Sequence, residues 1–319
     1  MLTRGTLLFI GQRVVLIGFT ILAVSSVVFL GIHRLPGDSF FSERLRGDAY
    51  QQTLHHYGLD LPLQQQYFNF VGNAVFHGDL GESLVNRGVK VTPLVLREAV
   101  ISAEVGGTAL IFTVIMGMVL GVMAAVRQNT WVDYLLTSTA IVGYSMPNFV
   151  IASFLLLILG IYLQDWTGGA FFYAIGWDPD HFQPLQVIVP ALALGFPYAS
   201  FVARLTRASM LEVIRQDYVR TARAKGLSEQ VVVIRHALRN ALIPVVTILG
   251  PLVIGILTGS VVIEKIFGIP GLGKEFASSI LNRDYNIVIG VFTVYAALVG
   301  VANLGVDLLY TVIDPRIRY

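Results

Sequence analysis

Three short motifs in the sequence contain residue types that carry out catalysis or bind metals in other proteins. Residues 268–275 read GIPGLGKE, which nearly spells the phosphate-binding loop G-x-x-x-x-G-K-[ST]. That loop needs a hydroxyl for Mg²⁺ at its last position, where this chain has Glu275, and it needs a preceding strand that the sequence does not predict. We therefore reject nucleotide binding here and predict a tight re-entrant or capping loop, with Glu264, Gly271 and Gly273 as candidate gate residues.

The other two motifs lack features that their chemistry requires. Residues 143–146 read GYSM, like the start of a nucleophilic serine elbow, but Pro147 replaces the second glycine and no strand precedes it. His55 and His56 are adjacent, whereas two ligands on one helix face need a spacing of three or four. The chain has no cysteine and no H-E-x-x-H motif. We predict no catalytic residue, no metal site and no cofactor in this chain.

One acidic residue lies in an otherwise apolar stretch near the C-terminus. Asp307 follows Asn303 by four residues, so the two share a helix face. A carboxylate at the bilayer centre costs about 2.5–3.5 kcal/mol, and less near an interface. Asp307 either pairs with Arg13 or with an arginine of the basic segment described below, or it relays protons as in a secondary transporter.

The elements that position these residues are apolar enough to lie in lipid. The 319 residues are 55% hydrophobic and 13% charged, against about 25% charged in soluble domains. About 20 apolar residues in a helix cross the hydrocarbon core, and the chain is predicted to be an all-α integral membrane protein with six transmembrane helices. The first apolar run continues past residues 23–25, which favours a retained signal anchor over a cleaved signal peptide. The six windows without Asp, Glu, Lys or Arg are 14–32, 105–126, 134–164, 181–203, 240–263 and 285–306.

The distribution of positive charge predicts the orientation. With both termini in the cytoplasm, 13 Lys and Arg residues lie inside and nine outside. Cytoplasmic loops carry an excess of Lys and Arg. We therefore predict a multi-pass protein of a prokaryotic cytoplasmic (inner) membrane with both termini inside.

A polar segment between the first two spans does not fit in lipid. Residues 33–98 show helical patterning over 43–57 and 61–76, interrupted by Gly58 and Pro62. They predict a helical insertion on the outer face, which serves as a docking surface, a lid or a solvated cap. The predicted organisation is 1–32 (N-terminus and first span), 33–98 (insertion), 99–312 (remaining spans, including a cytoplasmic coupling segment at 208–239) and 313–319 (C-terminus).

Spans three and four contain proline and glycine, which predict irregular helices. Pro147 lies in span three, and Pro184, Pro190 and Pro197 lie in span four. Broken backbone at membrane depth persists only against protein or a water-filled cavity. The candidates for lining a translocation path are therefore Tyr144, Ser145, Asn148 and Tyr198, unless the prolines only shape helix packing.

The basic segment, residues 204–239, has eight Lys or Arg residues and three acids. Asp217 is a plausible N-cap for a two-turn helix over 218–225, Gly226 a stop, and Ser228 the cap of a second helix. Ala222 and Gly226 are four apart and predict a small, smooth face ringed by charge. Such a helix suits a groove on a partner protein, or it rests on anionic lipid headgroups.

The segment resembles the cytoplasmic signature of ATP-binding cassette importer permeases, EAA-x₃-G-x₉-I-x-L-P. Ala222, Gly226 and Leu238 agree with it, while Arg220 and Arg239 replace its acid and its proline. The strings RTARAKGL, RHALRNALIPV, GSVVIEKIFGIPGLG, LNRDY and VIDPRIRY look like those of peptide permeases of the B type, and such strings cover nearly the whole chain. The resemblance implies the type I permease fold and an importer of peptides, oligopeptides more than dipeptides. Nickel and glutathione importers share much of the pattern.

The resemblance also implies partners. These are a second, similar permease, two cytoplasmic ATPase subunits or one fused ATPase that bind ATP and Mg²⁺, an extracytoplasmic substrate-binding protein, the peptide and membrane lipid, but no nucleic acid. The chain itself would hydrolyse nothing. A proton-coupled secondary transporter is the alternative, and a membrane hydrolase a distant third. The implied ATPase-coupling residues are Asp217, Tyr218, Arg220, Thr221, Ala222, Arg223, Ala224, Lys225, Gly226 and Leu227.

Overall fold

The helical character predicted from the sequence is present throughout the computed structural model, which describes residues 4–34, 47–162, 166, 176–178 and 184–313. Within these ranges the β structure is confined to an isolated bridge between Glu82 and Lys90. The LPGD string at 35–38, the start of the helix predicted over 43–57, most of the outer connection at 165–180 and the C-terminus from 314 lie outside the described residues.

The helices differ widely in length. Several are short segments joined end to end, and three stretches adopt π-helical hydrogen bonding: Asn73–His77, Ile158–Tyr162 and Val232–Leu238. In chain order the helices are α1 (Arg4–Ile32), α2 (Asp48–Tyr57), α3 (Leu63–Gly72), α4 (Val91–Val126), α5 (Trp131–Ser145), α6 (Asn148–Leu157), α7 (Leu185–Ile214), α8 (Asp217–Ala224), α9 (Glu229–Val231), α10 (Arg239–Ala241), α11 (Ile243–Thr247), α12 (Leu249–Phe267), α13 (Leu272–Leu281) and α14 (Tyr285–Ile313).

The predicted membrane spans are present as long apolar helices. Five helices in the described part of the chain are long and apolar enough to cross a bilayer, and counting α5 and α6 together as one broken span makes six. The five stretches are Leu8–Ile32, Val91–Val126, Leu185–Ile214, Leu249–Phe267 and Tyr285–Leu308. Helix α4 has 36 residues, about 54 Å at 1.5 Å per residue, and therefore extends well beyond the span predicted at 105–126.

Three spans differ in detail from the prediction. Span three is two helices, α5 and α6, that meet at Met146 and Pro147 with a bend of 106°. Span four is continuous: α7 runs through Pro190 and Pro197 without a break and was wrongly predicted to be irregular. Neighbouring groups and small local adjustments re-satisfy backbone freed by proline in such helices.

The stretch predicted as span five is interrupted near its start. Helix α10 ends at Ala241, α11 covers five residues that include Pro244, and only α12 is long enough to cross the bilayer. Proline has no N–H and so removes one hydrogen bond from this region. The apolar window was correctly recognised, but the regular helix begins at Leu249 and not near 240.

The described residues form two compact units. The split unit consists of residues up to Ser102 and from Pro270 onwards, and the central unit is Ala103–Ile269. In the split unit α1 packs along α14, where the Ser25 and Thr293 hydroxyls lie 2.8 Å apart. Arg13 Nε lies 3.0 Å from Asp307 Oδ2. Of the alternatives predicted for Asp307, the structure shows the ion pair with Arg13.

A buried carboxylate joins the end of the insertion to the last helix. Asp284 is 2% exposed and directly precedes α14. It accepts hydrogen bonds from the Ser83 hydroxyl, from Leu84 N at 3.1 Å and from Val85 N at 3.3 Å. Hydrogen bonds to a charged group contribute about 1.5–3 kcal/mol each. The aspartate of the LNRDY string therefore anchors residues 83–85, about 200 positions earlier in the chain.

The insertion contains the two predicted helices. Helices α2 and α3 are separated by Gly58, whose φ of 66° ends α2, and by Pro62, which precedes α3. Tyr67 of α3 lies against α1, with its hydroxyl 2.6 Å from that of Ser26. His55 and His56 are exposed, and His55 Nδ1 lies 2.8 Å from Asp60 Oδ2.

Candidate functional site

The basic segment folds around Gly226 as the sequence predicts. Helix α8 ends at Ala224, and Gly226 then adopts φ +76°, a left-handed conformation that side chains other than glycine rarely adopt. Ser228 precedes α9 as its N-cap. The N-cap of α8, however, is Gln216 and not Asp217, which is the first helical residue. An acid in this first turn is still favourable, because the helix N-terminus carries partial positive charge.

One part of the predicted docking face is wrong. Ala222 is only 5% exposed and packs with the fully buried Val219 against Val232 of the following helical stretch. Ala222 is therefore not available to a partner, whereas Gly226 is exposed. The other coupling residues are exposed, namely Asp217, Tyr218, Arg220, Thr221, Arg223, Ala224, Lys225, Gly226 and Leu227.

Helix α8 is fastened to the long helices of the central unit. Val213, near the end of α7, packs against the cluster formed by Val219, Ala222 and Val232. A second cluster continues from there and joins the stretch after α9 to α7 and to the end of α4. Its buried members are Ala125, Met210, Val233, Ala237 and Ala241. Helix α8 thus packs on α7 through Val213, and the stretch after α9 links α7 to the end of α4.

Polar contacts brace α8 from outside. Asn240 Nδ2 donates to the Tyr218 hydroxyl at 2.7 Å. The Arg223 guanidinium donates twice to the Glu229 carboxylate, at 3.1 and 2.7 Å, and so bridges the turn at Gly226. Two parallel bonds of this kind fix the angle between the two groups as well as their distance.

The Arg223–Glu229 bridge leads to a prediction about pH. The hydrogen bond from Arg223 lowers the pKa of Glu229 below its ordinary value of 4.5, and the pKa of Arg223 is raised by the same contact. A carboxyl whose pKa is lower in the folded protein stabilises the fold at pH values above its pKa in the unfolded state. This stabilisation is lost as the pH falls through its pKa in the folded state. The Glu229 side chain is 56% exposed, so the contribution is about 0.2–1 kcal/mol.

The measurement is an NMR titration of the glutamate carboxyls. We expect Arg223→Gln to raise the pKa of Glu229 towards its ordinary value. Arg220→Gln is the matched control, because Arg220 lies 3.4 Å from Asp217 and makes no described contact with Glu229. Identical Glu229 titrations in the wild type and Arg223→Gln would contradict the bridge.

Three of the four candidate path residues come together in the central unit. Tyr144, Asn148 and Tyr198 line one hollow of about 280 Å³, together with Pro197. Ser145 does not line this hollow, and its hydroxyl donates to Ile141 O at 2.8 Å on its own helix. The bend between α5 and α6 falls at Met146–Pro147 and places Tyr144 and Asn148, on either side of it, at the same hollow.

Helices α5 and α7 approach closely beside this hollow. A Cβ added at Gly143 would come within 2.6 Å of Phe196 Cε1. A larger residue therefore fits only if the Ser200 or Phe196 side chain moves. Gly143 of the apparent serine elbow is thus a packing residue.

Two arginines on α7 were missed as individual residues by the sequence analysis, which counted them only as part of the basic segment. Arg207 donates to Asp133 of α5 through Nε at 2.6 Å and Nη2 at 2.7 Å. Asp133 is 1% exposed and also accepts from Asn129 N and from the Thr137 hydroxyl. Arg204, three residues before Arg207, lies over the Tyr144 ring, 5.4 Å from its centroid. The spacing of Pro197, Phe201 and Arg204, which places them on one helix face, could have indicated from the sequence that Arg204 lies beside the candidate path residues.

The candidate gate residues fall in different units. Glu264 of the central unit is fully buried, and its backbone carbonyl accepts from Ile269 N at 2.8 Å. Gly271 of the split unit is the N-cap of α13, and Gly273 is buried in the first turn of that helix. Helix α12, and not a strand, precedes the GIPGLGKE loop, in agreement with the rejection of a phosphate-binding loop.

Comparison with known proteins gives consistent matches. The family model described as "Binding-protein-dependent transport system inner membrane component" matches residues 117–319. A dipeptide transport system permease protein of Bacillus subtilis, DppB, is 42% identical to this chain over 94% of both chains. The oligopeptide transport system permease protein OppB of Salmonella typhimurium is 38% identical, over 94% of this chain and 95% of the relative. DppB of Lactococcus lactis is also 38% identical, over 97% and 99% respectively.

The fold has a counterpart among solved structures. The chain resembles a chain of the inward-facing MetNI methionine ABC transporter with a TM-score of 0.54, over 69% of this chain and 96% of that one. The sequences are 19% identical. This likeness supports the type I permease fold and nothing finer.

Proposed function

This chain belongs to the family of binding-protein-dependent transport system inner membrane components, and from that membership we propose that it is the transmembrane permease subunit of an ATP-driven peptide importer. The relatives support the peptide branch, since they are named as dipeptide and oligopeptide permeases. A preference for oligopeptides over dipeptides stays a prediction, because both names occur at similar identity.

The observation that carries the proposal is that one face of α8 is exposed while the opposite face is buried against the central unit. Tyr218, Thr221 and Lys225 are exposed, while Val219 and Ala222 of the same helix are buried against the central unit. A helix that only rested on lipid headgroups would not need this buried contact with α7. We propose that α8 is a coupling helix seated in a groove of a cytoplasmic ATPase subunit.

The proposed mechanism is alternating access. Two ATPase subunits, or one fused ATPase, would bind ATP and Mg²⁺ and close on each other, while an outer binding protein would deliver the peptide. Because α8 packs on α7, its movement would tilt α7, which carries Tyr198 at the hollow. Each ligand would act by binding one of the two states more tightly than the other. A second, similar permease would complete the path.

The proposed orientation has both termini in the cytoplasm. It places α8 on the side of the ATPases and the insertion with α2 and α3 on the side of the binding protein. The excess of Lys and Arg on the α8 side supports this orientation.

Co-purification tests the proposal. The permease, expressed with the other products of its transporter and solubilised in mild detergent, should retain an ATPase subunit. Peptide loaded on the binding protein should then stimulate ATP hydrolysis by the reconstituted complex. A permease that is folded but never retains an ATPase would refute the proposed function.

A further inference from the structure

One face of α7 presents a positive charge and aromatic rings to two neighbouring hollows of the central unit. The residues of this face, called the α7 face below, are spaced three or four positions apart and so lie along one side of the helix. The first hollow is the one of about 280 Å³ that contains Tyr144 and Tyr198. The second, of about 360 Å³, contains Thr137, Phe201 and Arg204. The members of the α7 face are Pro197, Phe201, Arg204, Leu205 and Ala208.

Tyr144 connects the two hollows. Its ring lines the first hollow and stacks on Phe201 of the second, with centroids 5.6 Å apart and planes inclined by 28°. The guanidinium of Arg204 lies over the same ring, 5.4 Å from its centroid. A guanidinium is attracted to an aromatic face, which holds its plane in one orientation while its edge remains available for hydrogen bonds.

Arg204 and Arg207 differ in their partners: Arg207 pairs with a carboxylate, and Arg204 contacts an aromatic ring. Arg207 is neutralised by the bidentate contact with Asp133, and its side chain is only 27% exposed. Among the described residues, no carboxylate pairs with Arg204, which is exposed and contacts the Tyr144 ring instead. Two arginines three positions apart on one helix therefore differ in function: one closes a structural ion pair, and the other keeps its hydrogen-bond donors available.

We propose that Arg204, held over Tyr144, binds the C-terminal carboxylate of a peptide in the translocation path. The planar fork of a guanidinium matches the two oxygens of a carboxylate. Phe201, Leu205 and Ala208 form an apolar wall for the last side chain of the peptide, and Asn148 offers an amide to its backbone. Every peptide has a terminal carboxylate whatever its sequence, so one fixed cation serves many substrates.

This inference rests on the proposed function, since it needs peptide to pass through this chain. A lipid phosphate would also bind a guanidinium. The polar side chains of the first hollow, Tyr144, Asn148 and Tyr198, suit a ligand with several polar groups better than a pair of acyl chains. Pockets for small ligands usually measure about 300–1,000 Å³; the second hollow, of about 360 Å³, lies near the lower end of this range, and the first, of about 280 Å³, lies just below it.

Photolabelling of the whole transporter in nanodiscs tests the inference. The probes are a short peptide with a photoreactive residue at its C-terminal position and the same peptide with a C-terminal amide. We expect the free acid to label residues around Tyr144 and Phe201 about tenfold more in the wild type than in Arg204→Gln. The amide should label both proteins weakly and equally. Arg204→Lys, which keeps the charge without the planar fork, should fall between them.

Arg127→Gln is the matched control, because it removes the same charge from an exposed position at the end of α4, on the same predicted side of the membrane. Equal labelling by acid and amide, no effect of Arg204→Gln, or an equal loss in Arg127→Gln would each overturn the inference. So would labelling by the acid that disappears when anionic phospholipid replaces a zwitterionic one, since the occupant would then be lipid. Import of the same peptide into proteoliposomes separates the two ideas: import without Arg204-dependent labelling overturns only this inference, and no import overturns the proposed function.

Discussion

Replacing Asp133 with alanine is expected to lower the free energy of unfolding of the permease by about 3–5 kcal/mol. Asp133 is 1% exposed, and its loss would leave the Arg207 guanidinium partly buried between α5 and α7 without its partner. Asn129 N and the Thr137 hydroxyl would lose their acceptor at the same time. Removing one member of a buried pair is much more damaging than removing both, because the remaining charge stays desolvated.

The measurement is a denaturant titration of the purified protein, together with the fraction that enters the transporter complex. Arg207→Gln should destabilise similarly, and the double variant Asp133→Ala/Arg207→Gln should recover part of the loss. Arg204→Gln, on the same helix, is the control and should change stability little, since Arg204 has no described carboxylate partner. A loss below about 1 kcal/mol for Asp133→Ala, typical of a surface ion pair, would show that the contact does not hold the helices together.

Replacing Gly226 with tryptophan is expected to abolish the stimulation of ATP hydrolysis by substrate while the protein still inserts into the membrane. A Cβ at this position would meet nothing within 4 Å, so the side chain would project from the exposed turn after α8. The left-handed backbone at Gly226 adds a strain of about 1–2 kcal/mol for a side chain of this kind. If α8 lies in a groove of the ATPase, the indole would hold it out of that groove.

Gly226→Asn is the control that separates the effect of backbone strain from the effect of a large side chain. Asparagine tolerates the left-handed conformation better than other side chains and is much smaller than tryptophan, so Gly226→Asn should retain most of the stimulation. Stimulated ATPase activity of the reconstituted complex is the readout, and membrane fractionation checks insertion. Normal stimulation in Gly226→Trp would refute the docking of this turn in a groove.

The sequence was sufficient for those features that depend on local chemistry. Long runs without charge predicted the spans, since a continuous apolar helix satisfies all of its backbone hydrogen bonds within lipid. Gly226 predicted the break after α8, because its φ of +76° favours glycine. The cost of a lone carboxylate in an apolar helix predicted either an arginine partner or a proton relay for Asp307, and Arg13 lies 3.0 Å from it.

The errors concern properties that depend on packing between helices. The sequence does not tell that Ala222 faces Val232 and not a partner, because a small residue on a short helix suits either side. Proline alone also does not distinguish the sharp bend before α6 from the uninterrupted course of α7 through Pro197. Arg204 and Arg207 are the same residue type in one helix, and only the position of Asp133 on α5 distinguishes them.

The two parts of the split unit lie far apart in the chain, and this affects the order in which the unit can fold during synthesis. Its two parts flank the central unit, Ala103–Ile269, so α1 emerges from the ribosome long before α14, the helix along which it packs. At about 5–20 residues per second, the chain between Ile32 and Tyr285 takes about 13 to 50 seconds to synthesise. During that interval the Ser25 hydroxyl is already satisfied by Ile21 O on its own helix, at 2.7 Å. Arg13, by contrast, has to wait for Asp307, and Ser83 has to wait for Asp284. A nascent chain arrested before α14 would therefore be inserted but unfinished, with its first helix and its insertion open to membrane chaperones and proteases.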